Sequence, residues 1–147
     1  MTPLKKLLLE EISENGPMPL ADYMARALGD PTHGYYMQRR PFGQAGEDGG
    51  DFMTAPEVSQ MFGELIGAWL ADLWLRMGQP KPFCLAELGP GRGTLMADIL
   101  RAANVLPDFA AAVQVHFVET SAALRAAQQQ LVPQAIWHDT LDTLPAM

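Results

Sequence analysis

The chain of 147 residues is 48% hydrophobic and 18% charged, a globular composition with enough apolar side chains for one real core. Its formal net charge of -7 argues against a nucleic-acid partner, which needs a basic face. One cysteine, Cys84, excludes a disulfide framework and a cysteine-based zinc site, and no metal site is expected. No run approaches the length of a membrane span. Lys5 and Lys6 precede Leu7, Leu8 and Leu9, but Glu10 and Glu11 end that stretch at once, unlike a signal peptide or an acid-poor import leader. A cytoplasmic protein is the default expectation.

Thr2 is placed to cap a first helix with Pro3 in its opening turn, and Leu4, Leu8 and Ile12 fall on one face. Asn15, Gly16 and Pro17 stop it. A second helix follows Pro19, with Leu20, Tyr23, Met24, Ala27 and Leu28 as its apolar stripe and Gly29 at its end. From Asp30 to Asp51 the chain reads as a long loop rich in glycine and proline, with a short strand expected at Tyr35, Tyr36 and Met37. The part from Gln38 to Gly50 is expected to be mobile and to order over a ligand. His33, before Gly34 and two tyrosines, either lines a site or, more simply, serves a turn beside an aromatic contact.

Thr54, Ala55, Pro56 and Glu57 have the form of a capping box. The spacing from Val58 through Met61, Phe62, Leu65, Ile66, Trp69, Leu70, Leu73, Trp74 and Met77 predicts one long helix ended by Gly78. Its wide face is expected to pack on a sheet, with the tryptophans in the core. Pro80, Lys81 and Pro82 form a stiff connection.

Phe83 to Leu88 is a short apolar run of the kind seen in a strand covered on both faces. Gly89, Gly91 and Gly93 follow, and Thr94 opens a helix through Leu95, Met96, Ile99 and Leu100. This is the first βα unit of a nucleotide-binding fold. A dinucleotide fingerprint would place its third glycine at position 94, which is Thr94, and the lysine of a P-loop is absent. Glu87, inside the strand, is costly to bury unless a cationic group compensates it. S-adenosylmethionine carries a sulfonium and an ammonium and has no phosphates, so an acid followed by GxGxG points to a class I methyltransferase. Cys84 reads as a small hydrophobe.

Val113, Val115, Phe117 and Val118 predict the next strand, with Glu119 at its carboxyl end and Thr120 or Ser121 capping the helix beyond. Ligands of open α/β sheets lie at such strand ends, so Glu119 is a candidate for holding ribose hydroxyls; otherwise it is a charge near a helix N-terminus. That helix ends near Leu131 and Pro133. Ala135, Ile136 and Trp137 begin a third strand, followed by His138 and Asp139. Asp139 is placed either to contact adenine or to serve a loop near Leu141. A class I sheet has seven strands and three are legible, so the expected fold is the N-terminal half of a Rossmann-like α/β methyltransferase fold. The expected division is a helical extension over residues 1–80 and the first part of the cofactor-binding domain over 81–147.

The segments DPTHGYYM at Asp30 to Met37, GDFMTAPEVSQMFGELIG at Gly50 to Gly67 and LAELGPGRGTLMADILR at Leu85 to Arg101 resemble the MidA-like family of S-adenosylmethionine-dependent methyltransferases of bacteria and mitochondria. The second is the most specific, because GxGxG is shared by many methyltransferases. The resemblance implies a protein methyltransferase acting on arginine, with mitochondrial members assisting assembly of respiratory complex I. The compartment it implies is the cytoplasm for a bacterial chain and the mitochondrial matrix for a eukaryotic one. It implies cofactor contacts at Glu87, Gly89, Gly91, Gly93 and Glu119, and brings Thr54, Pro56 and Glu57 to the border of the site. Glu57 is the candidate catalytic carboxylate, orienting an acceptor nitrogen. Two other classes stay open: a non-catalytic assembly factor built on this fold, and a nicotinamide-dependent oxidoreductase, against which Thr94 argues.

Overall fold

A computed structural model describes residues 1–38 and 53–145. The chain forms two compact units, Met1–Asp51 and Phe52–Met147. In the first, α1 (Pro3–Asn15) is capped by Thr2, whose hydroxyl accepts from the Lys5 N–H at 3.4 Å. Gly16, at φ +86, ends it by donating to the Ile12 carbonyl at 2.9 Å. Leu8 is buried, whereas Leu20, Tyr23, Met24 and Leu28 of α2 (Leu20–Gly29) stay exposed. Arg26 pairs with Glu11 at 3.0 Å and ties the two helices.

Asp30 organises the turn after α2. Its carboxylate accepts from the backbone N–H groups of Thr32 and His33 at 3.0 and 2.9 Å, which holds that carboxyl below its ordinary range. The Gly34 N–H returns to the Asp30 carbonyl at 2.8 Å, and a Cβ on Gly34 would lie 2.5 Å from the Asp30 nitrogen. The turn continues into a helical turn, α3 (Tyr35–Gln38). The strand expected at Tyr35 to Met37 is therefore corrected: the Met37 N–H bonds the Gly34 carbonyl at 3.1 Å, so local closure wins over the β propensity of two tyrosines. The stretch expected to be mobile lies, from residue 39 onward, outside the described residues.

The second unit is α/β. Its sheet has the order β1-β2-β3, all parallel, with β1 (Phe83–Leu88) beside β2 (Val113–Val118) and β2 beside β3 (Ile136–His138). Crossovers run through α6 (Thr94–Ala103) with α7 (Pro107–Ala112), and through α8 (Ala122–Leu131), capped by Ser121. The short helix α7 opens on Pro107, a first-turn proline that the sequence reading passed over. The core lies on one face of the sheet, where Leu85, Val115, Phe117 and Trp137 meet Trp74, Met96, Ile99 and Phe109. Leu88 and Ile136, at alternate positions on the other face, are exposed. β1 is accordingly half-buried rather than covered on both faces.

The expected helix from Thr54 to Gly78 is two helices, α4 (Ala55–Val58) and α5 (Gln60–Arg76). Ser59 breaks the run with extended backbone, and its hydroxyl accepts from the Met61 N–H at 3.2 Å, making it the side-chain cap. Thr54 caps α4 without a side-chain hydrogen bond, so the capping box is not formed. The face of α5 that packs is also not the bulky one. Gly63 and Gly67 are buried against α6, where a Cβ on Gly63 would meet the Asp98 Cβ at 2.5 Å and one on Gly67 the Ile99 carbonyl at 2.8 Å. Close approach along these glycines carries Leu70 and Trp74 into the core and turns Met61, Leu65 and Trp69 outward. The expectation that both tryptophans are core holds for Trp74, at 0% exposure, and fails for Trp69, at 61%. Helices α4 and α5 pack with α6 and lie in the same compact unit as the sheet.

Candidate functional site

The site is built at the carboxyl ends of the three strands. The Gly89 N–H donates to the Val118 carbonyl at 2.9 Å, extending the ladder one step beyond β1. The chain then turns through Gly89, Gly91 and Gly93 at φ +63, +56 and +86, the left-handed region open to glycine at little cost. The Gly93 N–H closes the turn on the Pro90 carbonyl at 2.8 Å, and α6 begins with Gly93 as its cap. Nothing lies within 4 Å of where a Cβ on Gly89 would stand, so the turn leaves room for a ligand.

Glu87 sits on the covered face of β1, opposite Phe117 and two residues before the first glycine. Its Oε2 is buried with no hydrogen-bond partner. Burial pushes its carboxyl up to about 7. An isolated buried carboxylate is costly, so this oxygen is short of a cation or a donor. Cys84 shows the same effect without the same geometry: burial raises its thiol, which leaves it inert at neutral pH.

Glu119 follows β2 and is 8% exposed. One carboxylate oxygen accepts from the Ser121 N–H at 2.8 Å, and the other from the Gln128 amide at 3.3 Å. A carboxylate has about four acceptor positions, so two remain for a ligand. Gln128, fully buried, was not singled out in the sequence. Its amide nitrogen also donates to the Gly91 carbonyl at 2.7 Å, and its oxygen accepts from the Trp137 indole at 2.8 Å. The signal for it was weak: in AAQQQL three glutamines are adjacent, and only the spacing of four from Leu124 puts Gln128 on the inward side.

Arg125 was likewise missed. Its guanidinium donates to the carbonyls of Glu119 and, at 3.1 Å, His138, and it pairs with the Asp139 carboxylate. It therefore fastens the end of β2 to the end of β3. Asp139 is itself largely exposed. Behind these ends, the Thr143 hydroxyl donates to the Thr140 carbonyl at 3.1 Å and so accepts from His138 Nδ1 at 2.8 Å. This leaves His138 Nε2 to accept from His116 Nδ1 at 2.9 Å. Burial, and after it the neighbouring His138, lowers the pKa of His116.

Glu57 comes to the glycine turn from α4. Its Oε1 accepts from the Thr94 hydroxyl at 3.0 Å and its Oε2 lies 3.6 Å from the Arg92 guanidinium. Thr54 and Pro56, in the cap and first turn of α4, are carried with it. The structure thus brings Glu57 to the same turn as Gly89, Gly91 and Gly93, with Glu87 beneath it and Glu119 joined to it through Gln128. Asp139 is linked to Glu119 only through Arg125. His33, in the first unit, contributes its backbone N–H to the Asp30 turn.

Among curated relatives, the chain is 50% identical over 129 residues to the Drosophila melanogaster protein arginine methyltransferase NDUFAF7 homolog, mitochondrial, covering 86% of this chain and 28% of that protein. It is 43% identical over 123 residues to Homo sapiens protein arginine methyltransferase NDUFAF7, mitochondrial, covering 82% and 27%. The chain therefore spans a little over a quarter of the length of these relatives. A Burkholderia thailandensis protein crystallised bound to S-adenosyl-homocysteine superposes with a TM-score of 0.76 at 32% identity, over 94% of this chain and 37% of that one. The MidA-like resemblance and the class I methyltransferase fold expected from the sequence are thereby upheld. A family profile described as "Putative S-adenosyl-L-methionine-dependent methyltransferase" matches residues 65–147, more than half of the chain, and the chain belongs to that family.

Proposed function

We propose that this chain carries the S-adenosylmethionine-binding part of a protein arginine methyltransferase. The observation that carries the reading is the unpartnered, buried Oε2 of Glu87 directly before three left-handed glycines. The residues fit the cofactor: a carboxyl short of a cation, a turn with open space at Gly89, and a second acid with free acceptor positions. When bound, S-adenosylmethionine supplies an activated methyl group on a sulfonium centre.

In this reading Glu87 offsets the positive charge of the ligand, and Gly89, Gly91 and Gly93 let the backbone approach it. Glu119 holds the ribose hydroxyls and Asp139 borders the adenine. Thr54 and Pro56 line the entrance from α4. Glu57 is the proposed catalytic carboxylate. An acceptor guanidinium replacing that of Arg92 at Oε2 would meet a carboxylate already oriented by Thr94. Transfer then depends on alignment and electrostatics, since an arginine side chain is charged at ordinary pH and must lose a proton as it is methylated. The arginine assignment, and a complex I subunit as the protein substrate, rest on the names of the relatives and on the family resemblance. Those names also favour the mitochondrion for a eukaryotic chain, where the family resemblance implies the matrix, with the cytoplasm as the counterpart in bacteria.

The test is calorimetric titration of the chain with S-adenosylmethionine and S-adenosyl-homocysteine, beside Gly91→Val and Glu119→Ala. Gly91→Val puts a β-branched residue at φ +56 and should abolish binding. Glu119→Ala should weaken it about tenfold or more. A folded wild-type chain that binds neither ligand would overturn the reading.

A further inference from the structure

The Gln128 side chain hydrogen-bonds the glycine turn, the acid at the end of β2, and β3 together. The Trp137 indole can only donate, so its 2.8 Å contact fixes the amide oxygen of Gln128 toward β3 and the amide nitrogen toward the site. The two N–H groups are then committed, one to the Gly91 carbonyl at 2.7 Å and one to the Glu119 carboxylate at 3.3 Å. With 0% exposure, the amide would be expensive to bury without these partners. A leucine would fill the space without that cost. Gln128 lies directly against the turn: a Cβ on Gly93 would stand at ordinary contact distance, 3.5 Å, from the Gln128 Cα.

We propose that Gln128 is a positioning residue for the nucleoside, setting the carboxylate of Glu119 at a fixed distance from the glycine turn so that it reads the ribose hydroxyls. This rests on the cofactor-binding reading above. Ser121 holds one oxygen of Glu119 from its own strand end, and among the described residues only Gln128 ties the other to the turn. These two hydrogen bonds, with the covalent attachment of the carboxyl carbon, fix the plane of the carboxylate, and its remaining acceptor positions are thereby aimed. Without Gln128 the acid remains but loses its orientation.

The test compares binding of S-adenosyl-homocysteine and its 2′-deoxy analogue by the wild-type chain, Glu119→Ala, Gln128→Leu and Gln128→Met. Wild type should prefer the ribose form about tenfold, the worth of a hydrogen bond to a charged acceptor. Glu119→Ala should lose that preference. Gln128→Leu should lose it as well, although Glu119 is intact. Gln128→Met keeps the length and volume and removes both donors, so it should behave as Gln128→Leu even where the leucine variant folds poorly. Weaker binding of both ligands with the preference retained would make Gln128 a packing residue only and overturn the inference. A wild-type chain that binds both ligands equally would remove Glu119 from the ribose instead, and one that binds neither would remove the cofactor reading; the inference falls with either.

Discussion

The hydrogen bond from the Thr94 hydroxyl to Glu57 Oε1, 3.0 Å long, joins residues 37 apart in sequence and fastens α4 to the first turn of α6. Arg92 approaches the other oxygen of Glu57 from within the glycine turn, but its side chain is half exposed. The two contacts should differ in strength, because a sheltered bond to a charged acceptor is worth about 1.5–3 kcal/mol and an exposed ion pair about 0–1 kcal/mol. Thr94→Val should therefore lower the unfolding free energy by about 1–2 kcal/mol in urea titrations, and Arg92→Ala by less than about 1 kcal/mol. Equal losses, or the reverse order, would show that the ion pair and not the threonine secures α4.

Gly63 lies where α5 crosses α6. Its missing Cβ would stand 2.5 Å from the Asp98 Cβ, with the Leu95 carbonyl at 3.2 Å, so neither neighbour is a flexible side-chain end that can swing away. Helix propensity alone would make Gly63→Ala stabilising by about 1 kcal/mol. Overpacking at a tight crossing costs about 1–3 kcal/mol, and the steric term should prevail. A drop in the urea midpoint at unchanged slope is the expected result; a rise would mean that α5 shifts freely on α6.

The helical periodicity from Val58 to Met77 was plain in the sequence, as were the glycine turn and three strands. The face of α5 that packs was not, because apolar counting favours the side with the most carbon. Contact instead follows Gly63 and Gly67, which admit α6 closely and leave Met61, Leu65 and Trp69 outside. The same limit explains Gln128. A lone polar residue on a helix carries no label for burial until Trp137, Gly91 and Glu119 converge on it from three other segments. Glu87 was legible because an acid inside an apolar strand conflicts with its surroundings, and such conflicts collect at functional sites. Glu57 was legible as a residue of interest for a reason that proved different: the spacing TAPE suggested a local cap, whereas its carboxylate serves Thr94 and Arg92.

Replacing the two hydroxyls at the helix starts separates a formed cap from an unformed one. Ser59 accepts from the Met61 N–H, so Ser59→Ala should cost about 1 kcal/mol, the ordinary worth of a cap. Thr54 makes no side-chain cap bond, so Thr54→Ala should cost less than about 0.5 kcal/mol. Thermal unfolding of the two variants is the comparison; a larger loss at Thr54 would restore the capping box.

Glu87 should make both stability and binding depend on pH, in opposite directions. Burial holds its carboxyl at about 7 in the folded chain, against an ordinary 4.5. Below the ordinary value both states are protonated and the site costs nothing. As pH rises toward 7 the unfolded chain ionises while the folded one keeps its proton, so the folded state loses ground, by about 3 kcal/mol once above 7. Glu87→Gln removes that loss and should gain stability over wild type progressively across this window, with no difference at about pH 4. Binding runs the other way, because a cationic ligand needs the ionised carboxylate. Affinity for S-adenosylmethionine should rise about tenfold between about pH 6 and pH 8 and then level off, and Glu87→Gln should bind weakly with no such rise. Calorimetry across that range in wild type and variant measures both slopes. A flat wild-type profile would place the charge of the ligand away from Glu87, and the stability window would then stand alone as the cost of an acid buried for some other purpose.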